Sequence, residues 1–154
     1  HQQLVLEQDM QAMAWIKQNT SENAKFLVNE FLAYGDSTVV GADAGWWLPF
    51  LTKRQTNLPP MIYIKETANE PGYFDEIKRF QQQTTMTRLL TGQGWQALQE
   101  AGITHIYLGQ QTEGPVWYTP QARLDAQQLE ASPYYQLLYH QDNVAILAVK
   151  TETP

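Results

Sequence analysis

Trp95-Gln96-Ala97-Leu98-Gln99-Glu100-Ala101-Gly102-Ile103-Thr104-His105-Ile106-Tyr107-Leu108 is the stretch on which the fold turns. Trp95, Leu98 and Ala101 recur at helical spacing, and Gly102 supplies the stop, because glycine accepts the left-handed conformation that ends a helix. Residues 103–108 then form a short apolar run closed by Gly109, the pattern of a buried strand. Helix, glycine stop and strand in immediate succession make the unit from which α/β folds are built.

Toward the C-terminus, Gly114-Pro115 opens a loop, Leu124 and Leu129 suit a short helix ended by Ser132-Pro133, and residues 134–139 and 144–149 flank the polar turn Gln141-Asp142-Asn143. Two apolar runs around so short a turn predict a β-hairpin. Toward the N-terminus, Tyr73, Ile77 and Phe80 fall on one helical face after Pro71-Gly72, which predicts a helix over 73–83; Thr84-Thr85-Met86-Thr87-Arg88 reads as a weak strand. Met61 to Ile64 is a brief strand candidate, and Asn57-Leu58-Pro59-Pro60 an extended edge or loop. Trp46 to Leu51 reads as a short helix entered near Pro49, Gly41-Ala42-Asp43-Ala44-Gly45 as a flexible connection, Thr38-Val39-Val40 as a strand, and Gly35-Asp36-Ser37 as a turn. Residues 25–31 (KFLVNEF) read as a single buried strand, and Met10, Met13, Ala14 and Lys17 line up behind Glu7 and Asp9 as a helix over 7–18. The expected architecture is one α/β domain spanning 1–154, a mixed sheet covered by helices and ending in a β-hairpin.

The composition agrees with one soluble domain: 43% hydrophobic and 17% charged residues are globular values. The longest apolar run, 144–149, is far short of the roughly 20 residues a membrane helix needs. Sixteen acidic against 10 basic residues give a net charge of -6, with Lys and Arg scattered singly, which argues against nucleic acid or an anionic membrane surface as a partner. With no cysteine, disulfides, thiolate metal sites and a cysteine nucleophile are excluded. The chain begins at His1, and His1-Gln2-Gln3 has no signal-peptide character, so it reads as excised from something longer. Asn19-Thr20-Ser21 fits the N-glycosylation acceptor pattern, a short pattern that recurs by chance.

Each pattern that could carry chemistry has a plainer reading beside it. Gly92-Gln93-Gly94-Trp95-Gln96-Ala97 matches a dinucleotide fingerprint, yet no strong strand precedes it and the following strand ends in Gly109-Gln110 rather than an acid, so it reads as a helix N-terminal turn. His105 and His140 have no metal-ligand spacing, no metal is expected, and no cofactor is implied. Ser21, Ser37 and Ser132 lack a nucleophile elbow. Glu66 and Glu70 read as a solvated acidic loop rather than a glycosidase pair. No catalytic set emerges. Asp43 stands three residues before Trp46-Trp47, an acid beside aromatic rings that equips a chain to hold a sugar; the competing reading buries the tryptophans in the core. Arg54 is a candidate partner for Asp43 or for a phosphate.

Three segments carry a resemblance: Trp15-Ile16-Lys17-Gln18-Asn19-Thr20 leading into Ala24-Lys25-Phe26-Leu27-Val28, then Asp43-Ala44-Gly45-Trp46-Trp47-Leu48-Pro49 with Lys53-Arg54, then Leu98 through Tyr107. Together they resemble the soluble tail domains that follow the membrane spans of bacterial polytopic glycosyltransferase-like proteins of the C superfamily, the protein mannosyltransferase-like and oligosaccharyltransferase-like enzymes that use polyprenyl-phosphate-linked sugars. The resemblance implies a domain on the extracytoplasmic side of a bacterial membrane, tethered by transmembrane helices and partnered with the membrane-embedded part of its own parent chain. It also implies a supporting role, since the catalytic acids of such enzymes lie in loops of the membrane part. The oligosaccharyltransferase branch carries a Trp-Trp-Asp acceptor motif in its soluble domain; here the order runs Asp43, two small residues, Trp46-Trp47, and no acceptor role is carried over. The expected function is therefore that of a non-catalytic accessory domain meeting sugar or acceptor through Asp43, Trp46, Trp47 and Arg54. The alternative is a free-standing α/β module binding a sugar or nucleotide at the strand ends.

Overall fold

Phe26 and Val28 face one layer of helices while Leu27 between them faces another, and the same alternation recurs in Ile106, Tyr107 and Leu108 and in Val144 to Leu147. Strands apolar on both faces belong in the middle of a three-layer fold. The computed structural model describes residues 5–33, 38–58, 71–110 and 123–152. Its central sheet has five strands: β1 (Lys25–Val28), β4 (Gln55–Thr56), β5 (His105–Leu108), β6 (Tyr135–Gln141) and β7 (Val144–Val149), in the order β4-β1-β5-β7-β6. β4 and β5 run parallel to β1, while β7 is antiparallel to both β5 and β6. The sheet is mixed and closes on the hairpin β6–β7, as the sequence predicts, with Asp142 at φ 53 in its turn.

One face packs on α1 (Glu7–Asn19), a 3-10 helix (Asp43–Trp47) and α2 (Leu48–Thr52), through Ala12, Met13, Ile16, Ala44 and Leu48. The other packs on α4 (Met86–Leu89), α5 (Gly92–Glu100) and α6 (Ala126–Ala131), through Met86, Leu89, Trp95, Leu98 and Leu129. α3 (Tyr73–Gln83) sits outside this layer and sends Phe80 against it. α5 ends as its sequence demands. Gly102 adopts φ 70, its amide bonds the carbonyl of Gln99, and the amide of Ile103 bonds that of Leu98, so the chain turns off the helix with its last carbonyls satisfied.

Three expectations are corrected. Residues 25–31 are two strands rather than one: β1 ends at Val28, and β2 (Glu30–Ala33) pairs antiparallel with β3 (Thr38–Gly41) in a separate two-stranded sheet. The break is Asn29, whose carbonyl takes the amide of Ala42 and whose side chain is engaged on both ends. The connection at 41–45 is ordered, because the Asp43 carboxylate accepts the amide of Gly45 and starts the 3-10 helix. The weak strand at 84–88 is instead a turn leading into α4, where Met86 and Leu89, three residues apart, are both buried on one face. The expected turn at 35–37, strand at 61–64, prolines at 59–60, acids Glu66 and Glu70 and loop at Gly114-Pro115 lie outside the described residues.

Candidate functional site

The helices that follow the adjacent parallel strands β1 and β5 lie on opposite faces of the sheet, the arrangement that in open α/β folds marks the topological switch point at the strands' carboxyl ends. Asp43 sits there, bonded to the residue that follows each strand, Asn29 after β1 and Gly109 after β5. Its Oδ1 accepts from the Gly45 amide at 2.9 Å; its Oδ2 accepts from Asn29 Nδ2 at 2.9 Å and from the Gly109 amide at 3.2 Å. Asp43 also sits at φ 47, a left-handed conformation that Asp tolerates better than most residues but that still carries strain. The glycines around it are required by contact. A Cβ on Gly109 would lie 2.9 Å from Asp43 Cγ, and one on Gly45 would lie 2.7 Å from Val28 Cβ and 3.2 Å from Asp43 Oδ1.

A second carboxylate stands behind the first. Asp9, 1% exposed, accepts on Oδ1 from Tyr107 Oη at 2.7 Å and from the Gln110 amide at 2.8 Å, and on Oδ2 from the Leu6 amide at 2.9 Å. Asp43 and Asp9 thus hold the consecutive amides of Gly109 and Gln110 where the chain leaves β5. Burial raises the Asp43 carboxyl to about 6, with the Asp9 charge adding to it and the bonds from Asn29, Gly45 and Gly109 opposing it. Burial followed by the two neighbouring acids pushes the Tyr107 phenol well above its ordinary value. At the start of β2, burial raises Glu30 to about 8 against the bond it accepts from Asn57 Nδ2 at 2.7 Å.

The residues singled out from the sequence separate in space. Trp46 is half-buried against Phe31, Val40 and Ala42 in the small core under the two-stranded sheet. Trp47 is 40% exposed and meets Phe50, itself 69% exposed, edge-on at 6.4 Å, with Lys53 Nζ 5.5 Å from the Phe50 ring. Adjacent tryptophans therefore divide the two readings between them, one ring packed and one presented. Arg54 is 7% exposed and caps the end of α1: Nη2 donates to the carbonyls of Thr20 and Lys17, Nε to Thr20 Oγ1, and Nη1 to the carbonyl of Thr52. Its described bonds go to helix-end oxygens, and none goes to Asp43.

Asn29, Asp9, Tyr107 and Gly109 complete the cluster and were not singled out from the sequence. Asn29 is hidden inside an apolar run, and Asp9 serves as an ordinary first-turn acid. The one local signal is Gly109, a glycine directly after a strand. Among the described residues no group of three or more His, Cys, Asp or Glu is arranged to hold a metal ion. His105 stacks on Phe26 at 4.9 Å, and burial lowers its pKa. Gly92 and Gly94 lie in the first turn of α5, where Thr91 Oγ1 accepts the Gly94 amide; the segment before them is α4 rather than a strand, so the dinucleotide context is absent.

The fold is an α/β three-layer domain in which Asp43 joins the carboxyl ends of the parallel strands β1 and β5. It is similar to the C-terminal globular domain of an oligosaccharyltransferase from Archaeoglobus fulgidus, with a TM-score of 0.51 and 12% identity over 95% of this chain and 99% of that one. No family model matches the sequence, and no curated protein does either. Among the described residues no helix is long and apolar enough to cross a membrane.

Proposed function

We propose that residues 1–154 are one extracytoplasmic accessory domain of an integral membrane glycosyltransferase-like protein of the C superfamily, bacterial in origin and using a polyprenyl-phosphate-linked sugar. The observation that carries this reading is the likeness in fold, end to end, to the globular domain of an oligosaccharyltransferase. In this reading the domain has no catalytic residues of its own and covers the acceptor side of an active site in the membrane part of the same chain. Trp47 offers an exposed ring to a sugar or acceptor. Among the described residues three groups donate to Asp43, where two carboxylate oxygens offer about four acceptor positions. Trp46 packs its turn onto the two-stranded sheet, and Arg54 ties the end of α2 to the end of α1.

Of the alternative, a free-standing module binding a sugar or nucleotide, the site geometry speaks against the nucleotide-binding kind. Such a module needs free backbone amides at the strand ends, and those of Gly45, Gly109 and Gln110 are already bound to carboxylates. The test is glycosyl transfer from a polyprenyl-phosphate-linked sugar by the intact parent protein, wild type against Trp47→Ala and against a deletion of residues 1–154. Loss of transfer on deletion and weakened acceptor KM in Trp47→Ala support the reading. A parent without membrane spans, or transfer indifferent to both changes, sinks it.

A further inference from the structure

We infer that Asn29 is the positioning residue of Asp43: it fixes which way the carboxylate faces and keeps it in the ionised form that a ligand hydroxyl would meet. Asn29 is 1% exposed and stands at the corner where the chain leaves the central sheet for β2. Its Oδ1 accepts the amide of Leu124 at 2.9 Å. A backbone amide can only donate, so the carboxamide cannot be flipped, and the group 2.9 Å from Asp43 Oδ2 must be its NH2.

The consequence for Asp43 follows from counting donors. Oδ2 faces Asn29 Nδ2 and the Gly109 amide, Oδ1 faces the Gly45 amide, and none of the three can accept a proton from it. Among the described residues, the titratable groups shown to interact electrostatically with Asp43 are Asp9 from α1 and Tyr107 from β5. Asp9 accepts from Tyr107 Oη and two backbone amides, and its charge opposes ionisation of Asp43. Burial opposes the charged form, and the Asn29 bond is the largest of the influences favouring it. The same side chain ties the Asp43 turn to Leu124, so one carboxamide sets both the charge and the place of the acid.

The consequence for ligand binding rests on the role proposed above for Asp43; the electrostatic part does not. Asn29→Asp sets an oxygen where the NH2 stood, and two carboxylates in contact titrate as a pair whose upper step rises by about one pH unit or more. The experiment is a 13C NMR titration of the aspartate Cγ signals in the intact protein, wild type against Asn29→Asp and Asn29→Ser. The expected result is one Asp43 step in the wild type, a split pair in Asn29→Asp and a raised midpoint in Asn29→Ser. An Asp43 midpoint unmoved in both folded variants overturns the inference. Should neither variant fold, the wild type decides through the hydrogen-bond scalar coupling from Asn29 side-chain nitrogen to Asp43 Cγ: its presence supports the inference and its absence overturns it. Binding of a polyprenyl-phosphate-linked sugar is measured alongside. A moved titration with unchanged binding upholds Asn29 as positioning residue and overturns only the ligand role of Asp43.

Discussion

Gly109 donates its backbone amide to Asp43 Oδ2 at 3.2 Å and has no room for a side chain, since a Cβ there would stand 2.9 Å from Asp43 Cγ. The end of β5 and the start of the 3-10 helix are therefore shaped to each other. Gly109→Ala forces the acid or the strand end to move, and overpacking of this kind costs about 1–3 kcal/mol. A melting temperature unchanged from wild type would show that the turn yields freely.

Asp43→Asn keeps the shape and reverses half of the chemistry. One oxygen becomes an NH2 that must face either Asn29 Nδ2 and the Gly109 amide or the Gly45 amide, donor against donor. Stranding those buried donors costs about 1–3 kcal/mol. A domain of this size loses about 2–4 °C of melting temperature per kcal/mol, so calorimetry resolves the change.

The two tryptophans separate under the same substitution. Trp46→Ala removes a ring packed on Phe31, Val40 and Ala42 and is expected to lower stability, by less than the roughly 3–5 kcal/mol of a fully buried ring. Trp47→Ala leaves the melting temperature nearly unchanged and weakens acceptor binding by the intact protein. Thermal denaturation beside a binding isotherm checks both, and a large stability loss in Trp47→Ala would return that ring to the core.

Arg54 binds helix-end carbonyls through a planar fork, so its charge alone does not suffice. Arg54→Lys reaches only part of the set and Arg54→Met none, and each buried acceptor left unpaired costs about 1–3 kcal/mol. The expected order of stability in urea is wild type, then Lys, then Met. A Met variant as stable as wild type would dismiss the capping role.

Among the described residues two acids have raised folded values, Asp43 to about 6 and Glu30 to about 8, and their effect on stability opposes that of His105, whose value burial lowers. A raised folded value means that the native state holds protons the unfolded chain has released. Each group's contribution therefore falls as pH rises, from 3.8 to about 6 for Asp43 and from 4.5 to about 8 for Glu30. Urea denaturation at pH 5 and pH 8 should show the wild type weaker at pH 8. Glu30→Gln, which imitates the protonated acid and still accepts from Asn57, should flatten that difference. An unaltered slope in Glu30→Gln would place the pH dependence elsewhere.

The sequence by itself determined the helices and the mixed sheet wherever periodicity and a local stop coincide. α3 falls where Tyr73, Ile77 and Phe80 put it, α5 stops at Gly102, and the hairpin turns at Asp142-Asn143. These are short-range effects of backbone sterics and side-chain period, and they need no knowledge of distant residues. Tertiary structure alone decided the rest. Asn29 breaks an apolar run because its partners Asp43 and Leu124 lie 14 and 95 residues away, and Asp9 reaches Gln110 across 101. Arg54 became the cap of α1, 34 residues before it, and Trp46 and Trp47 took opposite environments. A buried polar group is satisfied by whatever the fold brings within about 3 Å, and no local pattern in the chain encodes which residue that will be.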